Sequence, residues 1–179
     1  SVAHGGRPQE AFCDWYDRAE VASCVGLGAT GLHADELVAP VATMPTDACL
    51  EAALSARPDL VGALALLSVG ATGYGVLARG PDGHVHWHEN EKCSSGTGEN
   101  IQKIAERFGL DVEEADQMAL LAGDAIPVTA RCTVFAKSEM THFANQGKPT
   151  GELFKGYFGS VARNTRALLA RNQVDGPVY

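Results

Sequence analysis

Two cysteines lie where thiol chemistry and the start of a predicted helix coincide. Cys93 comes just before the small-residue turn Gly96-Thr97-Gly98, and Cys132 opens the stretch Cys-Thr-Val-Phe-Ala-Lys-Ser-Glu. Backbone amides and the positive end of a helix dipole converge at such positions, which suits a phosphate, a thiolate or an anionic cluster. The pair therefore predicts a cluster or metal site assembled at helix ends, with two buried structural thiols as the alternative.

Other side chains with potential chemistry have simpler interpretations. His84, His86 and His88 alternate along a predicted strand and so project from one face, where imidazoles can bind zinc, nickel or copper. A solvated strand face is the interpretation we favour for them. The remaining cysteines, Cys13, Cys24 and Cys49, are predicted to be core residues. Three arginines of the last helix, Arg163, Arg166 and Arg171, are predicted to be solvated.

The helix after Cys93 has a clear local signal. Thr97 is expected to cap it, with its hydroxyl accepting from the amides of the first turn. The apolar residues that follow at helical spacing are Ile101, Ile104, Ala105 and Phe108.

Further helices are expected downstream. Asp111 and Glu114 form a capping-box pattern for the next helix, and Cys132 opens a helix that runs to Asn145. Thr150 is expected to cap a long final helix. Its predicted apolar face comprises Phe158, Val161, Ala162, Thr165, Leu168 and Leu169.

The rest of the pattern alternates short strands and helices. A hairpin with strands over 74–78 and 84–88 is the clearest local prediction, because Pro81-Asp82-Gly83 is a strong turn signal. The other predicted elements are helices over 7–18 and 45–55, strands over 21–26, 36–41 and 60–68, a strand after Pro127, and a strand that begins at 177–179.

Composition limits the possible classes of function. The 179 residues carry a net charge of −8, which argues against a nucleic-acid surface, and no apolar run approaches a membrane span. Five cysteines, an odd number without a Cys-x-x-Cys pair, indicate neither a disulfide framework nor a zinc knuckle. A reducing cytoplasm is therefore the expected setting.

Two sequence blocks together resemble a known family. Asn90-Glu91-Lys92-Cys93 followed by Gly96-Thr97-Gly98, and then Cys-Thr-Val-Phe-Ala from Cys132, resemble the two cysteine blocks of the BadF/BadG/BcrA/BcrD ATPase family. This family contains activators of 2-hydroxyacyl-CoA dehydratases and ATPase subunits of benzoyl-CoA reductase. The resemblance is strong over about 87–169 and weaker upstream.

The resemblance implies an α/β fold of the actin-like ATPase type (sugar kinase, heat-shock chaperone and actin), here incomplete, with a mixed sheet and flanking helices. The chain would be a single domain fragment, with 1–90 a remnant of the first lobe and its β-hairpin and 91–179 the cluster-motif and helical part. ATP with magnesium would lie between two lobes. The residues that would face it are Gly70, Ala71, Thr72, Gly73, Gly96, Thr97 and Gly98.

The same resemblance implies a 4Fe-4S cluster shared across a homodimer, with Cys93 and Cys132 as the ligands from each protomer. Two thiolates from each chain give the four that such a cluster needs. The implied partners are a CoA-thioester dehydratase or reductase and, as electron donor, reduced ferredoxin or flavodoxin.

The chain departs from the family pattern at the phosphate-binding motifs. It contains no Asp-x-Gly-Ser-Thr loop, and the second motif aligns with 68–73, where Ser68 and Gly73 replace the two carboxylates. We expect the chain to begin after the first hairpin, near 4–7, and the adenosine-binding Gly-Gly turn to follow Tyr179. Whether it is an enzyme is therefore left open. The predicted function is a cluster-bearing component of an ATP-dependent electron activator, and the alternative is a non-hydrolysing pseudo-ATPase interaction or regulatory module.

Overall fold

The computed structural model describes residues 7–31, 34–37, 41–57, 59, 65–80, 83–90, 97–129 and 132–179. The contacts divide the chain into two compact units, Ser1–Ala52 and Ala53–Tyr179. The predicted turn residues Pro81 and Asp82 lie outside the described residues, as do Cys93 and Gly96.

The smaller unit contains a two-stranded parallel sheet in which Leu27 lies opposite Val41. Its first helix begins with Pro8, whose fixed backbone angle suits the first helical position. The elements are helix α1 (Pro8–Arg18), strand β1 (Leu27–Ala29), strand β2 (Val41–Thr43) and helix α2 (Thr46–Ser55), the last of which crosses the boundary between the units.

The strand predicted over 21–26 is wrong. Val21–Ser23 forms a 3₁₀ turn instead, and the strand begins at Leu27. The Ser23 hydroxyl donates to the Glu20 carbonyl at 2.7 Å, a local bond that competes with strand pairing. Of the strand predicted over 36–41, positions 38–40 lie outside the described residues, and a strand is present from Val41.

The described residues of the larger unit form a small sheet and, after the end of α2, four α-helices. The antiparallel order is β3-β4-β5, which confirms the predicted hairpin. Val178 forms an isolated parallel bridge with Ala65, which agrees in part with the strand predicted to begin at 177–179 and makes the pairing mixed. The elements are β3 (Ala65–Val69), β4 (Tyr74–Arg79), β5 (Val85–Glu89), α3 (Gly98–Arg107), α4 (Val112–Leu121), α5 (Thr133–Asn145) and α6 (Thr150–Arg171).

The two faces of the sheet have different neighbours. Ala65, Tyr74 and Val76 share one face and pack with Leu168 of α6. On the other face, Leu77 lies opposite Trp87. Gly75 is required there, because a Cβ atom at this position would overlap the Trp87 indole.

The core of the helical layer forms around the first half of α6. Leu153, Phe154 and Tyr157 are fully buried and belong to one cluster with Ile104 and Met140. The apolar face predicted for this helix is therefore only partly correct, because Leu168 is buried whereas Ala162 is exposed. No helix in the described part of the chain is long and apolar enough to cross a membrane.

Two helix caps differ from one another. The Asp111 and Glu114 side chains form the predicted capping box, with the Glu114 amide donating to Asp111 at 2.7 Å. Thr97 is the N-cap residue of α3, but its side chain makes no capping bond. Its hydroxyl instead accepts a hydrogen bond from the side-chain amide of Asn100 at 3.0 Å. The cap expected at Thr150 is displaced by one residue, because Pro149 occupies the N-cap position.

Burial of Tyr157 predicts a loss of stability at alkaline pH. Desolvation raises the pKa of this phenol far above its usual value near 10. Above about pH 10 the unfolded chain therefore loses this proton while the folded chain keeps it. Stability is fully present below the unfolded pKa and should fall by up to about 1.4 kcal/mol per pH unit above it.

The measurement is urea unfolding between pH 8 and 11 on the wild type and on Tyr157→Phe, with each variant compared with its own stability at pH 8. We expect a shallower alkaline decline for Tyr157→Phe. Parallel curves for the two proteins would contradict the assignment of this pH dependence to Tyr157.

Candidate functional site

The predicted glycine turns meet at the start of α3. The amides of Gly98 and Glu99 donate to the carbonyls of Gly70 and Ala71, each at 3.0 Å. A Cβ atom at Gly98 would lie 3.5 Å from the Ala71 Cα atom, so the small residues allow this close approach. The structure thus brings the turn between β3 and β4 against the helix whose N-terminus was predicted to bind an anion.

This contact changes what the helix end can bind. Two of its first amides already have carbonyl partners, and the Thr97 side chain is fully buried. Glu99 adds a carboxylate to the first turn, and its hydrogen bond with Lys103 lowers the pKa of that carboxyl. Any phosphate at this turn would therefore depend on the backbone of 70–73 more than on the α3 dipole.

The structure describes both positions at which the sequence predicts that magnesium-binding carboxylates are replaced. Ser68 is half-buried in β3, and Gly73 is exposed just before β4. No atom lies within 4 Å of a Cβ atom built at Gly73, so the surroundings would accept a side chain there. The absence of acidic side chains at these two positions is thus not imposed by packing at Gly73.

Cys132 occupies the predicted place at the start of a helix. It is the N-cap residue of α5, with extended backbone angles of φ −147° and ψ 135°. Its carbonyl accepts from the Ala136 amide at 2.9 Å, the first bond of the helix, and the residue is half-buried. The partner cysteine predicted for it, Cys93, lies outside the described residues.

A buried hydroxyl follows Cys132 directly in the chain. The Thr133 Oγ1 atom is buried and has no hydrogen-bond partner within the described part of the structure. A buried polar atom without a partner is costly and usually has a functional or solvent partner. The donor set at this helix end, a half-buried thiol followed by an unsatisfied hydroxyl, is chemically compatible with an iron–sulfur cluster.

The segment that leads to Cys132 is held by residues that the sequence did not reveal. Glu139 of α5 accepts from the Thr129 amide at 2.7 Å, and Ser160 of α6 donates to the Val128 carbonyl. Arg163, predicted to be only solvated, donates to the Ser160 hydroxyl. The partners of Glu139 and Ser160 are backbone groups 10 and 32 positions away, which no spacing pattern identifies.

The structure adds no support for a metal site at the three histidines or at the remaining described cysteines. The rings of His86 and His88 lie 6.4 Å apart, as expected for one strand face, and His84 is exposed. No group of three or more His, Cys, Asp or Glu residues suited to a metal occurs within the described ranges. Cys13 and Cys24 are exposed, which corrects their prediction as core residues.

Comparison with solved structures defines the fold class. The activator of the 2-hydroxyisocaproyl-CoA dehydratase from Clostridium difficile, solved with bound ADPNP, matches with a TM-score of 0.80 at 20% identity. The match covers 96% of this chain and 64% of that one. The chain therefore has the α/β fold of the actin-like ATPase activators, as the sequence predicted.

The chain belongs to the BadF/BadG/BcrA/BcrD ATPase family, whose model matches residues 15–178. It is 30% identical over 89 residues to the activator of lactoyl-CoA dehydratase from Anaerotignum propionicum, covering 50% of this chain and 34% of that protein. It is 25% identical over 108 residues to one of the subunits of benzoyl-CoA reductase from Thauera aromatica, covering 60% of this chain and 38% of that protein. The chain spans 31% to 45% of the length of the curated relatives that it matches.

Proposed function

We propose that this chain is part of an ATP-dependent electron activator for a CoA-thioester dehydratase or reductase. In this proposal it forms a homodimer in which Cys93 and Cys132 of each protomer bind one 4Fe-4S cluster. Reduced ferredoxin or flavodoxin would supply the electron in the cytoplasm, where thiols stay reduced. The observation that carries the proposal is the position of Cys132 as the half-buried N-cap of a 13-residue helix.

The helix end favours a negatively charged ligand set. A helix of this length presents a partial positive charge and unpaired amides at its N-terminus, which stabilises a thiolate and the cluster that it binds. One chain contributes only two of the cysteines in the family blocks, so four ligands require a second copy. A twofold axis meets this need, because the same surface of each chain then faces its partner. When bound, such a cluster would supply one-electron transfer.

The nucleotide would lie against the turn 70–73. In this proposal the backbone of Gly70, Ala71, Thr72 and Gly73 faces the phosphates, with Gly96, Thr97 and Gly98 beside them. The contact between the two glycine turns supports a shared site. It also links the turn directly to the helix that follows the first cysteine block.

Anaerobic reconstitution with iron and sulfide tests the cluster. The wild-type chain should become brown and dimeric, with about four irons per dimer. Either Cys93→Ala or Cys132→Ala should abolish iron binding while the far-ultraviolet circular dichroism spectrum stays unchanged. The measurements are iron and sulfide analysis, together with light scattering for the mass.

Cys49→Ala is the matched control, because Cys49 is also half-buried but lies in α2, outside both cysteine blocks. This variant should bind as much iron as the wild type. Iron retained by the double variant Cys93→Ala, Cys132→Ala would refute the assignment of the ligands, and a brown monomer would refute the shared site.

One observation favours the alternative of a pseudo-ATPase interaction module. Ser68 and Gly73 offer no carboxylate to magnesium, and two amides at the start of α3 already have carbonyl partners. A chain of this kind would bind a partner without hydrolysing ATP. It would still dimerise around a cluster if the cysteines are ligands, so iron analysis and ATP hydrolysis test separate parts of the proposal.

A further inference from the structure

One face of α6 binds the backbone of the segment that precedes Cys132. The Lys155 ammonium donates to the Ala122 and Gly123 carbonyls at 2.7 and 3.0 Å. Further along, the Ile126 amide donates to the Glu152 carbonyl at 3.1 Å, and Gly156 packs directly against the Ile126 carbonyl. We call the segment 126–129 the connector.

Successive contacts between the connector and α6 occur at matching intervals along the two segments. Ile126 lies beside Gly156, and Val128 accepts from Ser160, which is four residues further along the helix. Four helical residues rise about 6 Å, and two residues of nearly extended chain advance about 6.6 Å. The spacing of these two contacts therefore fits a regular alignment of the connector along α6.

A second bond joins the connector to α5. The Glu139 carboxylate, on the helix that Cys132 opens, accepts from the Thr129 amide at 2.7 Å. The bond joins a residue three positions before the cysteine to one seven positions after it. A carboxylate acceptor makes this a charge-assisted hydrogen bond, which is stronger than a bond between neutral groups. The bond thus joins the connector to α5, the helix at whose N-terminus Cys132 lies.

The connector packs against apolar side chains on one side only, where Val128 is buried in the core. The connector borders a cavity of about 400 Å³ whose walls include Thr129, Glu139, Ser160, Arg163 and Asn164. Apolar contacts on that side cannot fix the backbone, since the walls are mostly polar. On this polar side the bonds from α5 and α6 fix the backbone, in addition to the packing of Val128 in the core.

We propose that Glu139 and Ser160 are positioning residues that fix the connector and thereby the place of Cys132 at the end of α5. The importance of that place rests on the proposed function, in which Cys132 binds the cluster. The fixing itself is a property of the apoprotein and can be measured without iron.

The test is hydrogen exchange, followed by mass spectrometry, on the apoprotein with its thiols reduced. Glu139→Ala should accelerate exchange of the Thr129 amide by about tenfold or more, because it removes a bond to a charged group. The Ala136 amide, which bonds to the Cys132 carbonyl, should exchange several-fold faster. Amides of β4 should not change, which shows that the effect is local.

Glu139→Gln separates the hydrogen bond from the charge, because it retains an acceptor oxygen and loses the negative charge. It should accelerate exchange by only about two- to fivefold, less than Glu139→Ala does, because a neutral acceptor makes a weaker bond than a carboxylate. Ser160→Ala, a nearly isosteric change without any change of charge, should accelerate exchange in the connector and provides the test if Glu139→Ala does not fold. Unchanged exchange in both alanine variants, or equal acceleration in Glu139→Gln and Glu139→Ala, would overturn the proposal.

Reconstitution of the same variants is a second measurement. Glu139→Ala should bind iron with an altered electron paramagnetic resonance spectrum in the reduced state, and Glu139→Gln should restore the wild-type spectrum. A wild-type chain that binds no iron would refute the proposed function, while the exchange data would still decide whether Glu139 and Ser160 position the connector.

Discussion

Replacing Gly156 with alanine should destabilise the larger unit by about 3 kcal/mol or more. A Cβ atom at this position would lie 2.8 Å from the Ile126 carbonyl carbon and closer still to its oxygen. The obstacle is backbone, which cannot rotate away as a side chain can. Relief would require the connector to move from α6, with loss of the bond from the Ile126 amide to Glu152.

Gly159→Ala, three residues along the same helix, is the matched control with the opposite sign. A Cβ atom there meets only the Arg163 guanidinium at 3.5 Å, an ordinary contact. Alanine should therefore stabilise the helix by up to about 1 kcal/mol. Gly151→Ala should fall between the two, because its Cβ atom would lie 2.5 Å from the Met118 carbonyl oxygen.

Urea unfolding followed by tryptophan fluorescence measures this series. Trp15 lies in the smaller unit and Trp87 in the larger one, so a Trp15→Phe background confines the signal to the larger unit. Equal stabilities for Gly156→Ala and Gly159→Ala would show that the connector does not lie against α6 as described.

The purified 179-residue chain should show no magnesium-dependent hydrolysis of ATP. Phosphoryl transfer needs magnesium and fixed donors to stabilise the charge that develops on the phosphates. The resemblance to the family predicts that Ser68 and Gly73 replace two carboxylates. Loss of a single donor of this kind typically costs about 10²–10³ in rate, so the combined loss should leave no measurable turnover. Phosphate release above that of a matched mock preparation would show the interpretation of these positions to be wrong.

Introducing carboxylates at positions 68 and 73 tests the same interpretation by a gain of magnesium-dependent nucleotide binding. The double variant Ser68→Asp, Gly73→Asp should bind a fluorescent ATP analogue about tenfold more tightly with magnesium than with EDTA, because carboxylates and phosphates together bind this ion. The isosteric control Ser68→Asn, Gly73→Asn should show no such dependence on magnesium. If the acidic pair and the amide pair behave alike, these positions do not face the metal.

The sequence predicted elements whose signals are local. The Asp111–Glu114 box and the hairpin strands β4 and β5 have specific short-range patterns, and both are confirmed. The buried face of α6 was predicted only in part, because Gly151 and Gly156 are among its most closely packed positions. The spacing of apolar residues does not identify a buried glycine whose missing side chain leaves room for a neighbouring backbone.

The sequence identified the candidate site residues but not the residues that hold the neighbouring backbone in place. Cys132 and the glycine turn at 70–73 could be identified from the family blocks, and the structure places Cys132 at a helix end as expected. Glu139 and Ser160 could not, since both bond to backbone groups of a segment with no regular structure. Thr97 illustrates the same limit, because burial directs its hydroxyl to the Asn100 side chain and away from the helix amides.

The parallel pairing of Val178 with Ala65 has a consequence for the order of folding. The two residues are about 110 positions apart, whereas β3, β4 and β5 pair with near neighbours in the chain, so closure of this contact is entropically the most demanding. Until 177–179 are in place, the outer edge of β3 exposes unpaired amides and carbonyls beside the apolar side chains of Leu67 and Val69. Such an edge can template association with another chain. Residues 177–179 therefore cover an edge of β3 at which a strand of another chain could otherwise pair.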